Sequence, residues 1–257
     1  MSIGLDGNEA NTTHRVGSNT YAYQILKGLH AQDSQTKYQI YLKNEPVADL
    51  PTSNKNWQYH TFGPGKLWTQ WRLPLELYRQ ISKPDIIFSP GHYAPRFSPV
   101  PTVISIMDLA FLYYPEGFQP KVLNQLTSCT RYSVQNAAHI FAISNHTKND
   151  LIKEYQLSPD KITVTPLGSN LKPSKDINAH QLQTLKKKYQ ITKPYFIFVG
   201  TQQPRKNLDR LAKAFIELNQ QYSDTQLVIV GKTWHQFRTV NQTNHPDIIY
   251  TGYTPEN

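Results

Sequence analysis

Arg205 and Lys206 stand at the mouth of a helical pattern in the stretch YFIFVGTQQPRKNLDRLAKAF, residues 195–215. A helix start already carries partial positive charge from its unpaired N–H groups, so two added cations are unfavourable there unless an anion is expected. An anion would gain both charges and the helix N–H groups. The alternative is a solvated helix start. A second loop of related character, DGNEANTTHRVGSNTYA (6–22), sets Gly17 just before another helical pattern with Arg15 beside it. Glycine there permits close backbone approach to a ligand, and it equally serves an ordinary strand-to-helix turn. One such loop in each half of the chain predicts a ligand held between them.

Other chemistries find no support. FGPGK (62–66) lacks the phosphate-loop pattern, because Leu67 takes the Ser/Thr position and His60 the first glycine position. No GxGxxG, GxSxG or HExxH motif occurs, and no two aspartates are separated by one residue as a divalent cation would want. No metal is expected. The single cysteine, Cys129, excludes an intrachain disulfide framework and a cysteine-based zinc site.

The elements that must position the two loops are short apolar strands alternating with helices. SIGLD (2–6), YQIYL (38–42), DIIFS (85–89), TVISI (102–106), HIFAIS (139–144) and KITVTPL (161–167) read as strands, several apolar throughout as in a parallel sheet covered on both faces. Ala22, Ile25, Leu26 and Leu29 fall at helical spacing, and further helices are expected over 120–137 and 145–156. This alternation is that of a doubly wound α/β domain. Residues 169–194 break the rhythm with a polar, lysine-rich stretch holding one helix near 178–189. The alternation restarts with strand 195–199, helix 207–221, strand 227–231 and strand 247–250. The expected division is therefore a domain over 1–175, a connection over 176–194 and an incomplete second domain over 195–257.

Of 257 residues, 27 are Lys or Arg and 18 Asp or Glu, a formal charge of +9 that favours anionic partners. The basic residues are dispersed and no nucleic-acid motif appears, so nucleic acid is not expected as a partner. The N-terminus lacks the basic start and apolar stretch of a signal peptide, and nowhere do 18 apolar residues run together. A cytoplasmic protein is expected, with peripheral contact at the inner membrane face as an option. That option rests on KLWTQWRLPLELYRQ (66–80), whose tryptophans and arginines suit a bilayer surface. Leu67, Trp71 and Leu75 also suit ordinary helix burial, the reading preferred from sequence. The LKKKYQ run (185–190) reads as a solvated face.

Several segments, in order, resemble glycosyltransferase family 4. RVGSNTYAYQIL is similar to that family's glycine-containing first loop and helix, and WRLPLEL (71–77) to its Trp…Leu-Pro segment. MDLAFLYYPEGF (107–118) resembles the His-Asp-Leu-x-Phe…Pro-Glu stretch, and AISNHTKNDL (142–151) the Val-Ser-x-x-Thr-Lys segment. FVGTQQPRKNLDRLAKAF is the most specific match, continued by LVIVGK and IIYTGYTPE.

The resemblance implies a GT-B fold of two facing Rossmann-like α/β domains, the second incomplete here. It implies retaining transfer of a sugar from a UDP- or GDP-linked donor to an acceptor hydroxyl on a glycan or lipid-linked molecule, with no metal and no cofactor besides the donor. By the same resemblance Arg205 and Lys206 hold the donor diphosphate, and Gly17 and Gly200 let backbone approach the donor. Arg15, His92 and Asp108 lie on the acceptor side, Asp108 with Arg205 and Lys206 forming the catalytic set. Asp108 by itself equally suits a cap or turn after strand 102–106, and a loop histidine such as His92 is more often structural. Two departures stand out. Met107 occupies the family's histidine position and can neither accept a proton nor donate a useful hydrogen bond. The family's paired glutamates, which grip the donor's sugar and ribose, have no counterpart within these residues.

Overall fold

The structure is a computed structural model that describes residues 1–63, 67–91, 93–169, 178–233 and 242–254. The strands are β1 (Ser2–Asp6), β2 (Lys37–Leu42), β3 (Trp57–Thr61), β4 (Ile86–Ser89), β5 (Thr102–Ile106), β6 (His139–Ala142), β7 (Ile162–Val164), β8 (Tyr195–Val199), β9 (Gln226–Val230) and β10 (Ile248–Gly252). The α-helices are α1 (Gly17–Gln32), α2 (Leu73–Arg79), α3 (Ala110–Tyr113), α4 (Pro120–Asn136), α5 (Asn145–Tyr155), α6 (Ala179–Lys188) and α7 (Leu208–Gln221), with a π-helical turn, Trp68–Arg72, leading into α2. The chain divides into two compact units, one of Met1–Leu112 with Asn124–Gly168, the other of Tyr113–Leu123 with Ser169–Asn257.

In the first unit a seven-stranded sheet runs in the order β3-β2-β1-β4-β5-β6-β7, every pair parallel. Parallel strands need crossovers; helices supply those after β1, β3, β5 and β6, whereas among the described residues β2–β3 and β4–β5 are joined without one. The alternation of side chains along β2 shows how the two faces are sealed. Ile40 and Leu42 join Leu5, Ala22, Leu26 and Trp57 in one core beneath α1. Tyr41, pointing the other way, packs with Trp68, Leu73, Leu77 and Ile87. Fully burying a Leu or Ile side chain contributes about 1.5–3 kcal/mol, so each of these layers contributes several kcal/mol to the unit. The α5 start is capped by Ser144, whose hydroxyl accepts from Thr147 N at 3.1 Å.

The sequence expectation for the helix near residue 70 is overturned. Leu67, Trp71 and Leu75 are half exposed, at 52 %, 52 % and 50 %, while Trp68, Leu73 and Leu77 are the buried set. Leu67, Trp71 and Leu75 keep a four-residue spacing, whereas the buried set steps five residues from Trp68 to Leu73 across the π-helical turn and then four to Leu77. Strand β3 was not anticipated either. Its sequence, WQYHT, alternates apolar with polar because β3 is an edge strand.

The second unit holds a parallel three-stranded sheet in the order β10-β9-β8. Helix α7 lays Leu208, Ala212 and Phe215 against Leu227, Ile229 and Ile248 on one face. On β8, Ile197 and Val199 remain 58 % and 71 % exposed. No helix among the described residues is long and apolar enough to cross a membrane.

Candidate functional site

The sheet order of the first unit reverses direction between β1 and β4, and open α/β sheets bind ligands in the crevice at the carboxyl ends of strands flanking such a switch. Asp6 ends β1 and Ser89 ends β4. Asp6 is almost fully buried and accepts hydrogen bonds from Thr69 Oγ1 at 2.8 Å, Asn8 Nδ2 at 2.8 Å and Asn8 N at 3.2 Å. Burial pushes its pKa up, against the pull of the three bonds. Desolvation of the carboxyl in its loop, and then the charge of Asp6, also raise the pKa of Glu9, an otherwise exposed residue whose carboxylate accepts from Asn19 Nδ2 at 2.7 Å. Sequence reasoning passed over both carboxyls; their place in the first loop was the available signal.

A carboxyl whose folded pKa lies above its unfolded value binds its proton more tightly in the native state. Its effect on stability is most favourable below the ordinary carboxylate range and declines as pH rises to the raised value. Asp6→Asn keeps an acceptor for Asn8 and removes the titration. Urea midpoints of this variant are expected to lack the part of the wild-type decline in stability that appears between the ordinary carboxylate pKa and the raised one. A decline identical to wild type would show that Asp6 does not titrate in this window.

Gly17 is the first residue of α1 and has φ +33, a left-handed value that disfavours other residues, with no atom within 4 Å of where a Cβ would stand. The preceding Val16 gives α1 no side-chain cap, and the first turn has no acidic residue. The start of α1 thus combines open space with uncapped N–H groups.

Arg15, expected on the acceptor side, is held within the first unit. Its guanidinium meets both carboxylate oxygens of Asp49, one at 2.9 Å, its Nε donates to Ala10 O at 3.0 Å, and it lies 3.7 Å over the Tyr23 ring. It pins the first loop to the segment after β2. Asp108 Oδ1 accepts from Ala110 N at 3.0 Å and so starts α3, the turn role weighed from sequence. Met107 O accepts from Thr147 Oγ1 at 3.0 Å. His92 lies outside the described residues.

In the second unit the carboxyl ends of all three strands are marked by glycines with positive φ: Gly200 at +156, Gly231 at +122 and Gly252 at +72. Gly200 N donates to Val230 O at 3.0 Å, and Gly231 N to Gly252 O at 2.9 Å. A Cβ on Gly231 would stand 2.1 Å from Gly200 O, so only glycine lets these backbones approach. The loop after Gly200 is anchored by two buried glutamines. Gln202 Nε2 donates to Gly231 O at 2.7 Å, and Gln203 Oε1 accepts from Arg205 Nε at 3.0 Å.

Arg205 and Lys206 occupy a 3-10 turn, Pro204–Lys206, and both are exposed. Asn207 follows in a left-handed conformation and gives α7 no side-chain cap. The turn thus sets two cations directly before uncapped helix N–H groups, the combination an anion needs. Gln202, Gln203, Gly231 and Gly252 escaped the sequence reading, although glycine after each apolar strand was a visible signal. Among the described residues no cluster of His, Cys, Asp or Glu is arranged for a metal ion.

Residues 16–172 match the family described as Glycosyltransferase Family 4, and 182–256 that described as Glycosyl transferases group 1. The O-antigen chain mannosyltransferase RfbU of Salmonella typhimurium is 26 % identical over 132 residues, 51 % of this chain and 32 % of that protein. The matched part is thus about a third of that relative's length. Two solved structures share the fold. Anabaena HepE, in complex with UDP and glucose, is 13 % identical with a TM-score of 0.60, covering 98 % of this chain and 69 % of its own. Sucrose-phosphate synthase of Thermosynechococcus elongatus is 12 % identical with a TM-score of 0.65, covering 99 % and 71 %. The fold is GT-B, two Rossmann-like α/β units of which the second holds three strands among the described residues. With more than half its length inside the first of these families, and with the ordered motifs of both halves on the loops just described, the chain belongs to glycosyltransferase family 4.

Proposed function

We propose that the chain is the acceptor-side domain and the beginning of the donor-side domain of a retaining glycosyltransferase. It moves a sugar from a UDP- or GDP-linked donor to a hydroxyl of a glycan or lipid-linked acceptor in polysaccharide or glycoconjugate synthesis. The observation that carries this reading is the turn holding Arg205 and Lys206 between the glycine-marked strand ends and the uncapped start of α7. The donor's diphosphate is the anion suited to it. As the bond from the anomeric carbon to the diphosphate breaks and the bond to the acceptor oxygen forms on the same face, the electron pair leaves with the diphosphate and the acceptor's hydroxyl proton passes to the departing diphosphate oxygen. Positioned cations stabilise that growing charge more than the ground state. Gly17 and Gly200 admit the donor to the backbone, and Asp108, Arg15 and His92 belong to the acceptor side. Because Asp108 holds a turn and Arg15 a clamp, both act there by shaping the site. The residues around the proposed anion require no metal, and the donor is the sole cofactor-like partner.

Met107 favours a second reading, a nucleotide- or glycan-binding module without transfer activity, since methionine stands where the family has histidine before Asp108. Titration calorimetry with UDP- and GDP-sugars, followed by a transfer assay on a chain extended through the rest of the donor domain, separates the two. Donor binding with transfer on extension supports the transferase. Binding without transfer supports the module, and absence of donor binding by the extended chain overturns both.

A further inference from the structure

We propose that the outward face of the helix from Trp68 to Arg79, together with Phe97, docks on the surface of an anionic lipid bilayer. Leu67, Trp71, Leu75 and Tyr78 recur at near-helical spacing and are 52 %, 52 %, 50 % and 58 % exposed, and Phe97 beside them is 64 % exposed. The opposite face of the same helix is already sealed against the sheet through Leu73 and Leu77, so this row serves no internal core.

Two backbone features present the patch. Leu67 and Phe97 have left-handed φ of 56 and 52, a conformation that costs a non-glycine residue about 1–2 kcal/mol. Glycine or asparagine would relieve that cost, yet bulky apolar side chains stand at both positions and both face outward.

The patch is also braced from beneath. Trp71 and Phe97 rings lie 6.4 Å apart, and Phe97 meets Tyr132 at 6.0 Å. Tyr132 OH accepts from Phe97 N at 2.8 Å, and the Arg96 guanidinium lies 4.4 Å over the Tyr132 ring. A braced apolar surface enters a partner without the entropy cost of ordering it.

Charge selects the partner. Residues 67–83 carry three basic side chains, Arg72, Arg79 and Lys83, against Glu76 alone, in a chain of net charge +9. Arg72 and Arg79 are seven residues apart and so flank the apolar row on one side. Tryptophan and tyrosine favour the interface between headgroups and acyl chains, while arginines reach anionic headgroups alongside. A second copy of the chain would bring the same arginines together, which opposes self-association. The docking goes beyond the proposed transfer and is read without donor or acceptor, so failure of one leaves the other tested separately.

The experiment is sedimentation of the protein with vesicles of phosphatidylglycerol and phosphatidylcholine, and with phosphatidylcholine alone. Wild type is expected to partition onto the anionic vesicles and to release at high salt. Arg72→Gln with Arg79→Gln is expected to weaken partitioning roughly 30-fold, about fivefold for each charge near the surface. Trp71→Glu with Leu75→Glu is expected to abolish it. Ile197→Glu with Val199→Glu alters a separate exposed apolar surface, on β8, and is expected to leave partitioning unchanged. All six positions are partly or fully exposed, so the variants should keep the wild-type thermal midpoint. Equal binding to neutral vesicles, no binding by wild type, or loss only in the β8 variant would each overturn the proposal. A dimer dissolved by Trp71→Glu with Leu75→Glu, without vesicle binding, would assign the face to a second copy instead.

Discussion

Replacing Arg205 and Lys206 together by alanine is expected to weaken binding of a UDP- or GDP-sugar by roughly 30- to 1,000-fold, about 2–4 kcal/mol for two charge-assisted contacts in a partly solvated site. Both side chains are exposed, and neither is among the core of the second unit. The thermal midpoint should therefore stay near wild type, or rise slightly as two cations leave a helix start. Calorimetry on the folded variant separates lost binding from lost structure. Unchanged affinity would remove the diphosphate from this turn. Lys206→Arg is expected to retain most of the affinity, because charge is preserved while bidentate geometry is gained.

A larger effect on stability is expected at Gly231. Its φ of +122 is open to few residues besides glycine, and a Cβ there would stand 2.1 Å from Gly200 O and 2.9 Å from the Gly200 carbonyl carbon. Both obstacles are backbone, which cannot rotate away as a side chain would. Gly231→Ala must therefore separate the ends of β8 and β9, at a cost of about 3 kcal/mol or more when backbone strain and the clash are combined. The three-stranded sheet has one helix-covered core to absorb that loss, and local unfolding follows the least stable unit. Hydrogen exchange is expected to accelerate through β8, β9 and β10 while β1, β4 and β5 keep wild-type protection. Donor binding should fall with it, because the same glycines support the turn of Arg205. Wild-type protection across the second sheet would show that the strand ends tolerate separation.

The contrast between these substitutions shows which features were legible in the sequence. Arg205 and Lys206 stand out because two cations before a helix violate a local electrostatic preference, and local preferences are written in neighbouring residues. Gly231 does not stand out. Its need for glycine arises from the Gly200 carbonyl, thirty-one positions earlier in the chain and brought close only by strand pairing. Arg15 follows the same logic. From sequence it is a cation beside a glycine loop, but its partner Asp49 comes from beyond β2 and turns it into a clamp.

Strands and helices divide along a similar line. The bounds of β1, β5 and β8 coincide with the runs read from sequence, and β5, with Ile104 and Ile106 fully buried, has the near-continuous apolarity of a strand covered on both faces. Strand β3, WQYHT, lies at an edge with only part of its surface in the core, so its polar residues carry no burial signal. In the helix from Trp68 to Arg79, apolar residues occupy both faces. Periodicity there establishes that a helix forms without choosing which side is buried.

The α/β alternation, the two glycine-bearing loops, the cationic turn and the ordered motifs of the family are legible along the chain, because each depends on residues within a few positions of one another. That Leu73 and Leu77, rather than Trp71 and Leu75, face the sheet emerges from the packing of the folded unit. The tertiary structure also buries Asp6 at a switch point and brings three glycines together at the strand ends of the second unit. Those outcomes depend on strand order and on contacts between distant segments, and a choice between two apolar faces is made by the surface that comes to cover one of them.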